Sequence, residues 1–224
     1  MAIKKIDIIN FGLTLAGSEK LTSLTDSSKE ARLTSTFDLI YKADLTLPFN
    51  WKFAKFTTEL SATTSPTIGG YDYRYILPSK CLRVVKIVDE DDYDYNIPYR
   101  RELYVDGSEN EFQCVLTNST PCYIQYLRDL ENPATWPAWF AKLVAIDFAI
   151  VVCDPLTHDK QKKNQLIVMR DEPNIGWLHR AIQANAMEDS DSNDQNRNVK
   201  LGNNDVLQAD IKDFDDYRYI IERT

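Results

Sequence analysis

Apolar residues recur at helical spacing at Ile3, Ile6, Ile9, Leu13 and Ala16, which predicts an amphipathic helix over residues 3–16. Gly17 is placed to end it. A second helical set, Ala31, Leu33, Phe37, Ile40, Tyr41 and Leu45, follows Asp26 and Ser27, either of which can cap it. Pro48 sits where that helix must bend or stop. Trp51 to Leu60 adds one more apolar turn or strand before a Thr/Ser/Pro/Gly break at 63–70.

From Tyr71 to Arg128 the period changes to two. Val84, Lys86 and Val88 alternate with Arg83, Val85 and Ile87, rich in β-branched residues. Leu103–Val105 and Phe112–Leu116 flank Asp106-Gly107, a hairpin signal. Pro121 precedes a further strand, Tyr123–Leu127. Four to six short antiparallel strands fit here, as a small sheet, sandwich or barrel.

Helical spacing then returns. Pro133 and Pro137 are both placed for a first helical turn. Trp139, Phe140, Leu143, Val144, Ile146, Phe148, Ile150 and Val151 cover almost every face, so this is the core helix. Thr157 with His158-Asp159 reads as the cap of a helix running toward Arg170; Pro173 breaks it, and Ile175, Leu178, Ile182 and Ala186 continue as a last helix. Met187 to Asn204 is linker-like in composition. Beyond it Val206, Leu207, Ile211, Phe214, Tyr217, Tyr219, Ile220 and Ile221 restore apolar and aromatic content. The pattern predicts an α+β chain: a helical bundle domain over 1–62 and 133–190, an inserted antiparallel β domain over 63–132, and a flexible C-terminal arm over 191–224.

Charge sharpens this picture. The 224 residues carry a net −8, a poor basis for a DNA-grasping protein, which needs a basic footprint. Residues 87–111 hold nine Asp/Glu and two Arg; residues 188–224 hold ten Asp/Glu and five Lys/Arg, leaving the remainder at +4. A mildly basic body with an acidic patch and tail suits steering between unlike surfaces; solubility alone accounts for it equally well. The four cysteines are scattered without a CxxC pair, which predicts reduced thiols. The opening residues lack an export signal. The apolar run Leu143–Cys153, broken by Asp147, is far short of the roughly 20 residues of a membrane span.

Catalytic signatures are sparse. His158 and His179 lie 21 positions apart with no second ligand at metal spacing, so each reads as structural. Asp89–Asp94 lacks a calcium-loop pattern. A loop begun at Asp189 places Asp194 where Gly is needed and Lys200 where a bidentate Glu is needed. There is no Gly-x-Ser-x-Gly, phosphate loop or dinucleotide fingerprint. No catalytic, cofactor-binding or metal site is predicted, and no cofactor. Tyr71, Tyr73, Tyr75, Tyr93, Tyr95 and Tyr99 alternate along predicted strands; stacking of single-stranded bases also requires a basic groove, so a protein-facing or edge-strand surface is the better reading.

Three blocks occur in a telling order. Ile8-Ile9-Asn10 with Leu13 precedes Leu24-Thr25-Asp26 with Ala31. Trp51-Lys52-Phe53-Ala54 leads to Tyr73-x-Tyr75-x-Leu77-Pro78-x-x-Cys81-Leu82-Arg83-Val84. Ile124-Gln125-Tyr126 is followed by Trp136-Pro137-Ala138-Trp139-Phe140 and Leu143-Val144-Ala145. Over residues 3–190 this order resembles the tail tubular protein A family, the head-to-tail adaptors of short-tailed bacteriophages. The break at Pro173-Asn174 and the long acidic tail after Asn198 depart from that pattern.

The resemblance implies a structural virion protein and no enzyme. It implies a dodecameric homo-oligomeric ring in the tail neck, assembled in the host cytoplasm. Portal would bind on one side, the tail nozzle below and tail fibres outside, with genomic DNA passing through the lumen without specific binding and no membrane anchor. Phe214, Tyr217, Tyr219 and Ile220 are the candidate interface anchors of the arm, which either docks on a neighbour or folds back on its own domain. Two other functions fit the sequence: a tail-associated hydrolase of the cell envelope, resting on abundant carboxylates and Tyr, and a head-completion or assembly factor absent from the mature particle.

Overall fold

The computed structural model describes residues 3–64, 69–88 and 96–188. The chain divides between Glu188 and Asp189, and the described residues all belong to the first part. The acidic run Asp89–Asp94, Tyr93 and Tyr95, the polar stretch after Glu188 and the proposed anchors Phe214, Tyr217, Tyr219 and Ile220 lie outside the described residues. Helix and antiparallel sheet are both present, giving an α+β fold.

Helix α1 (Lys5–Ala16) buries Ile8, Ile9, Gly12, Leu13 and Ala16 on one stripe. The Asp7 carboxylate accepts from the Lys4 N–H at its start. Gly17 (φ 81°) closes it as expected, with Ser18 N–H reaching Leu13 O at 2.9 Å. That stripe faces α4 (Ala138–Thr157) so closely that a Cβ on Gly12 would stand 2.7 Å from Ala145 O. Eleven residues of α4 are buried, including Asp147, as its all-round apolar pattern requires.

The second helical stretch is not one regular helix. Its cap is Ser28, whose Oγ accepts from Ala31 N–H at 3.2 Å. Asp26 is engaged one turn earlier, accepting from Thr22 Oγ1 and Ser23 N–H. α2 (Lys29–Leu33) passes through a 3₁₀ turn at Thr34–Thr36 into α3 (Phe37–Leu39) and then a π-helical stretch, Ile40–Thr46. The hydroxyls of Thr34, Ser35 and Thr36 each donate to the carbonyl three residues back, a local competition that tightens the turn. The wide π turn is closed by Leu47 N–H on Lys42 O.

Other helix ends shift for similar reasons. Pro133 begins a short 3₁₀ turn capped by Asn132, whereas Pro137 is the residue before α4 and not inside its first turn. Thr157 ends α4, donating to Cys153 O at 2.8 Å, and His158 (φ 54°) closes it. Asp159 therefore caps α5 (Lys160–Asp171), accepting from Lys162 N–H at 2.9 Å. α6 (Trp177–Met187) follows the break at Pro173-Asn174.

Six strands lie between Tyr71 and Arg128, the upper end of the expectation, and two more precede Tyr71 because pairing begins at Lys55, making eight among the described residues. One sheet runs β1 (Lys55–Leu60), β8 (Cys122–Arg128), β4 (Cys81–Val88), β5 (Asn96–Ile97). The other runs β2 (Ala62–Thr64), β3 (Tyr73–Ile76), β7 (Glu111–Thr117), β6 (Arg100–Val105). Tyr75 and Val115 of the second sheet share one core with Val84, Ile87, Ile124 and Tyr126 of the first. The simple alternation read along β4 is broken at Val85. Val84 pairs with Tyr126 and Lys86 with Gln125, so an extra residue bulges and both Val84 and Ile87 turn inward.

The β6–β7 hairpin forms where Asp106-Gly107 predicts a turn, but its left-handed residue is Glu109 (φ 63°), not Gly107. The Asp106 carboxylate accepts from the Ser108 and Asn110 N–H groups and shapes the longer loop.

Candidate functional site

Asp147, the one carboxylate in the apolar run of α4, is 5 % exposed. Its Oδ1 accepts from an Arg170 NH group on α5 at 2.7 Å, while Oδ2 is buried with no hydrogen-bond partner. The rest of the Arg170 guanidinium holds Asp171 through Nε at 2.7 Å and NH2 at 3.1 Å. Burial pushes the Asp147 carboxyl above its ordinary value, with Arg170 pulling it down and Asp171 and Asp44 raising it. Asp44, on the π-helical stretch, is raised by desolvation against a smaller pull from Arg170. One guanidinium thus binds Asp147 and Asp171, and its charge also reaches Asp44 on the π-helical stretch. A raised carboxyl can serve as an acid, but Asp147 lines neither the groove along α5 nor the hollow beside Tyr71. The arrangement clamps α5 to the core.

A second polar joint links helices to sheet. The Tyr41 hydroxyl donates to Asp129 Oδ1 at 2.8 Å and Lys42 Nζ lies 2.6 Å from Oδ2. Burial, then the Asp129 hydrogen bond, push the Tyr41 hydroxyl far above its ordinary value. Tyr41 also packs on Trp136 at 5.0 Å, and Trp136 faces Phe37 and Phe140. Trp51, whose Nε1–H donates to Leu45 O at 2.5 Å, continues the cluster to Trp139 and Phe140. The aromatics of the Trp51-Lys52-Phe53-Ala54 block are therefore packing residues.

The remaining candidates fall mostly to structure. His158 terminates α4 and His179 lies half-buried on α6, and among the described residues no group of His, Cys, Asp and Glu could hold a metal. All four cysteines are free; burial pushes the Cys81 thiol up to about 11 and Cys122 to about 12. The described tyrosines of the row do not share one exposed face. Tyr75 is core, Tyr73 and Tyr99 pack against that core, and Tyr71 lines a shallow hollow of about 330 Å³ with Pro98 and Asn118. The inward face of β3 collects Tyr73 and Tyr75 together because strand side chains alternate. Within the acidic patch, Glu102 pairs with Arg74 at 3.4 Å and Asp106 shapes its loop.

Among the described residues, two surfaces expose several apolar side chains together. Only Leu166 of the twelve residues of α5 is buried. Gln161, Asn164, Gln165 and Val168, at one helical stripe, line an open groove of about 590 Å³. Val168 and Met169 are 58 % and 40 % exposed, and Ile175 beyond the helix 53 %. On the sheet, Leu103 and Val105 of β6 are about half exposed. No family model matches the chain, and no curated protein is similar to it in sequence.

Sequence reasoning missed the Asp147–Arg170 clamp and the Tyr41–Asp129–Lys42 joint. The first had a signal: a lone carboxylate in a helix apolar on every face must find a cation. The second had none, since Asp129 follows its strand in an ordinary loop context.

Proposed function

We propose that this chain is a structural subunit of a bacteriophage neck, a head-to-tail adaptor whose ring joins portal to tail nozzle and lines part of the DNA ejection conduit. The uncovered face of α5 carries this reading. A helix held to its core by Leu166 and an Arg170–Asp147 clamp, with Val168 and Met169 outside, is poised to pack on another protein. The order of elements supports it: helices α1–α3, strands β1–β8, then helices α4–α6. On this reading the helices before Lys55 and after Asn132 form the ring, expected as a dodecamer; Lys55–Leu60, expected in the helical domain, instead pairs with β8 in the sheet. The inserted β domain of 63–132 faces the nozzle or fibres, and the arm of 191–224 latches through Phe214, Tyr217, Tyr219 and Ile220. The lumen is acidic or neutral, because each phosphate neutralised by Lys or Arg would slow DNA passage. The chain is not an enzyme and resides in the virion.

Purified chain mixed with portal and imaged by negative stain should give rings seated on portal, and Val168→Glu should abolish the seating or the ring. Absence of rings and of portal binding at every salt concentration would remove the proposal. Mass spectrometry of particles separates an adaptor, which is present, from an assembly factor, which is not.

A further inference from the structure

β6 is the terminal strand of its sheet, and no strand among the described residues lies on its outer side. The direction of its backbone groups follows from the register. Asp106 N–H donates to Asn110 O at 3.0 Å, and this pair continues the register Val105↔Glu111. Residues 106, 104, 102 and 100 therefore exchange hydrogen bonds with β7. Gln113, opposite Leu103, turns its carbonyl the other way, accepting from Leu77 N–H at 2.9 Å. The N–H and C=O groups of Arg101, Leu103 and Val105 consequently point to the open side. Their side chains share one face, and all three are exposed. An open edge carrying Leu and Val and no proline is what folded chains ordinarily avoid or cover.

We propose that a second copy of this chain covers it, through antiparallel β6–β6 pairing about a two-fold axis at Leu103. The strand is complementary to its own reverse. With Leu103 opposite Leu103 of the second copy, Arg101 meets Val105, Glu102 meets Tyr104 and Arg100 meets Asp106. The outward-pointing residues 101, 103 and 105 all fall in hydrogen-bonded pairs, for roughly six bonds. Shifting the register by one residue would set outward groups against inward ones. The charges agree as well. Asp106 is held below its ordinary carboxylate value, first by its Asn110 hydrogen bonds, so it stays ionised, half-exposed, opposite the exposed Arg100. Leu103 and Val105 lose their exposure, and two four-stranded sheets become one of eight. The contact uses none of the α5 face and does not depend on the adaptor reading.

The full chain should show concentration-dependent dimerisation by light scattering in a series reaching about 1 mM. Leu103→Cys should form an interchain disulfide under mild oxidation, since hydrogen-bonded antiparallel partners stand roughly 5.5 Å apart at Cα, within disulfide range. Leu39→Cys, also exposed but on α3, is the control and should stay monomeric on a non-reducing gel. Val105→Pro removes an outward N–H and should reduce dimer at least tenfold without lowering the melting temperature. If Val105→Pro unfolds the chain, the Leu103→Cys cross-link decides alone. A wild-type chain monomeric throughout, a Leu103→Cys yield no greater than the control, or an oligomer unchanged by Val105→Pro would each overturn the pairing.

Discussion

Arg170 on α5 holds Asp147 of α4 at 2.7 Å, and the second oxygen of that carboxylate is buried without a partner. The pair therefore sits near the limit of what burial allows. The attraction offsets the desolvation of one oxygen and leaves the other uncompensated. Arg170→Met should destabilise the chain by about 3 kcal/mol, because it strands a buried charge. Asp147→Asn should cost about 1 kcal/mol, since the amide oxygen still accepts from Arg170. Urea unfolding of the two variants checks the order, and equal losses would contradict the clamp.

The same carboxyl predicts a pH dependence. Burial holds Asp147 above its ordinary value of 3.8. The folded chain then binds this proton more tightly than the unfolded one. Its contribution is fully present at low pH and is lost as pH rises from about 3.8 through the folded value. Measured as wild type minus Asp147→Asn, the unfolding free energy should fall with rising pH across that window and be level above it. Glu30 and Asp106, shifted downward, contribute to both chains and cancel. A difference that is flat or rises with pH would exclude the shift.

Gly12→Ala tests the α1–α4 contact. In an exposed helix this change gains roughly 1 kcal/mol of helix propensity. Here the new Cβ would stand 2.7 Å from Ala145 O and 2.8 Å from Phe148 Cδ1. The first is helix backbone and cannot swing aside, so overpacking of about 1–3 kcal/mol outweighs the gain. A lowered melting temperature is expected; a raised one would mean that the helices separate readily.

How much of this was legible follows the kind of signal each feature sends. α1, Gly17 and the core helix α4 were readable because periodicity and a left-handed glycine are local properties. The π turn at Ile40–Thr46 was not, since its apolar spacing passes for an α-helix. The Ser28 cap was hidden because Asp26 and Ser27 are equally good caps until Asp26 is engaged by Thr22 and Ser23. Tyr75 and Tyr73 looked like a surface row because alternation gives one face without saying which is inward; Ile87 and Ile124 of the other sheet decide that. The α5 face was invisible for a related reason. Its exposed Val168 and Met169 read as ordinary helix content until the neighbours that fail to cover them are known.

Thiol chemistry should be quiet in the folded chain. Cys114, Cys122 and Cys153 are buried, and the half-buried Cys81 is pushed up to about 11 by desolvation. At pH 8 that leaves about one part in a thousand of Cys81 as the reactive thiolate. An aromatic disulfide reagent should titrate well under one thiol per native chain in minutes, and all four in denaturant. Prompt release of one or more equivalents from native protein would show that a buried thiol is accessible.

Removal of the C-terminal arm separates function from stability. The chain divides at Glu188–Asp189, and the described unit carries its own helical and sheet cores. Truncation after Gly202 should therefore leave its melting temperature within a degree or so of the intact chain, about the effect of a few tenths of a kcal/mol. The deleted segment holds Phe214, Tyr217, Tyr219 and Ile220. Aromatic anchors on a tether gain from high effective concentration, so even a weak segment can hold an assembled ring. If the chain is the proposed adaptor, portal attachment, read by co-sedimentation, should drop at least tenfold on truncation and on Phe214→Ala with Tyr217→Ala. Attachment that survives truncation while the melting temperature falls would place the segment in the chain's own stability and remove the latch.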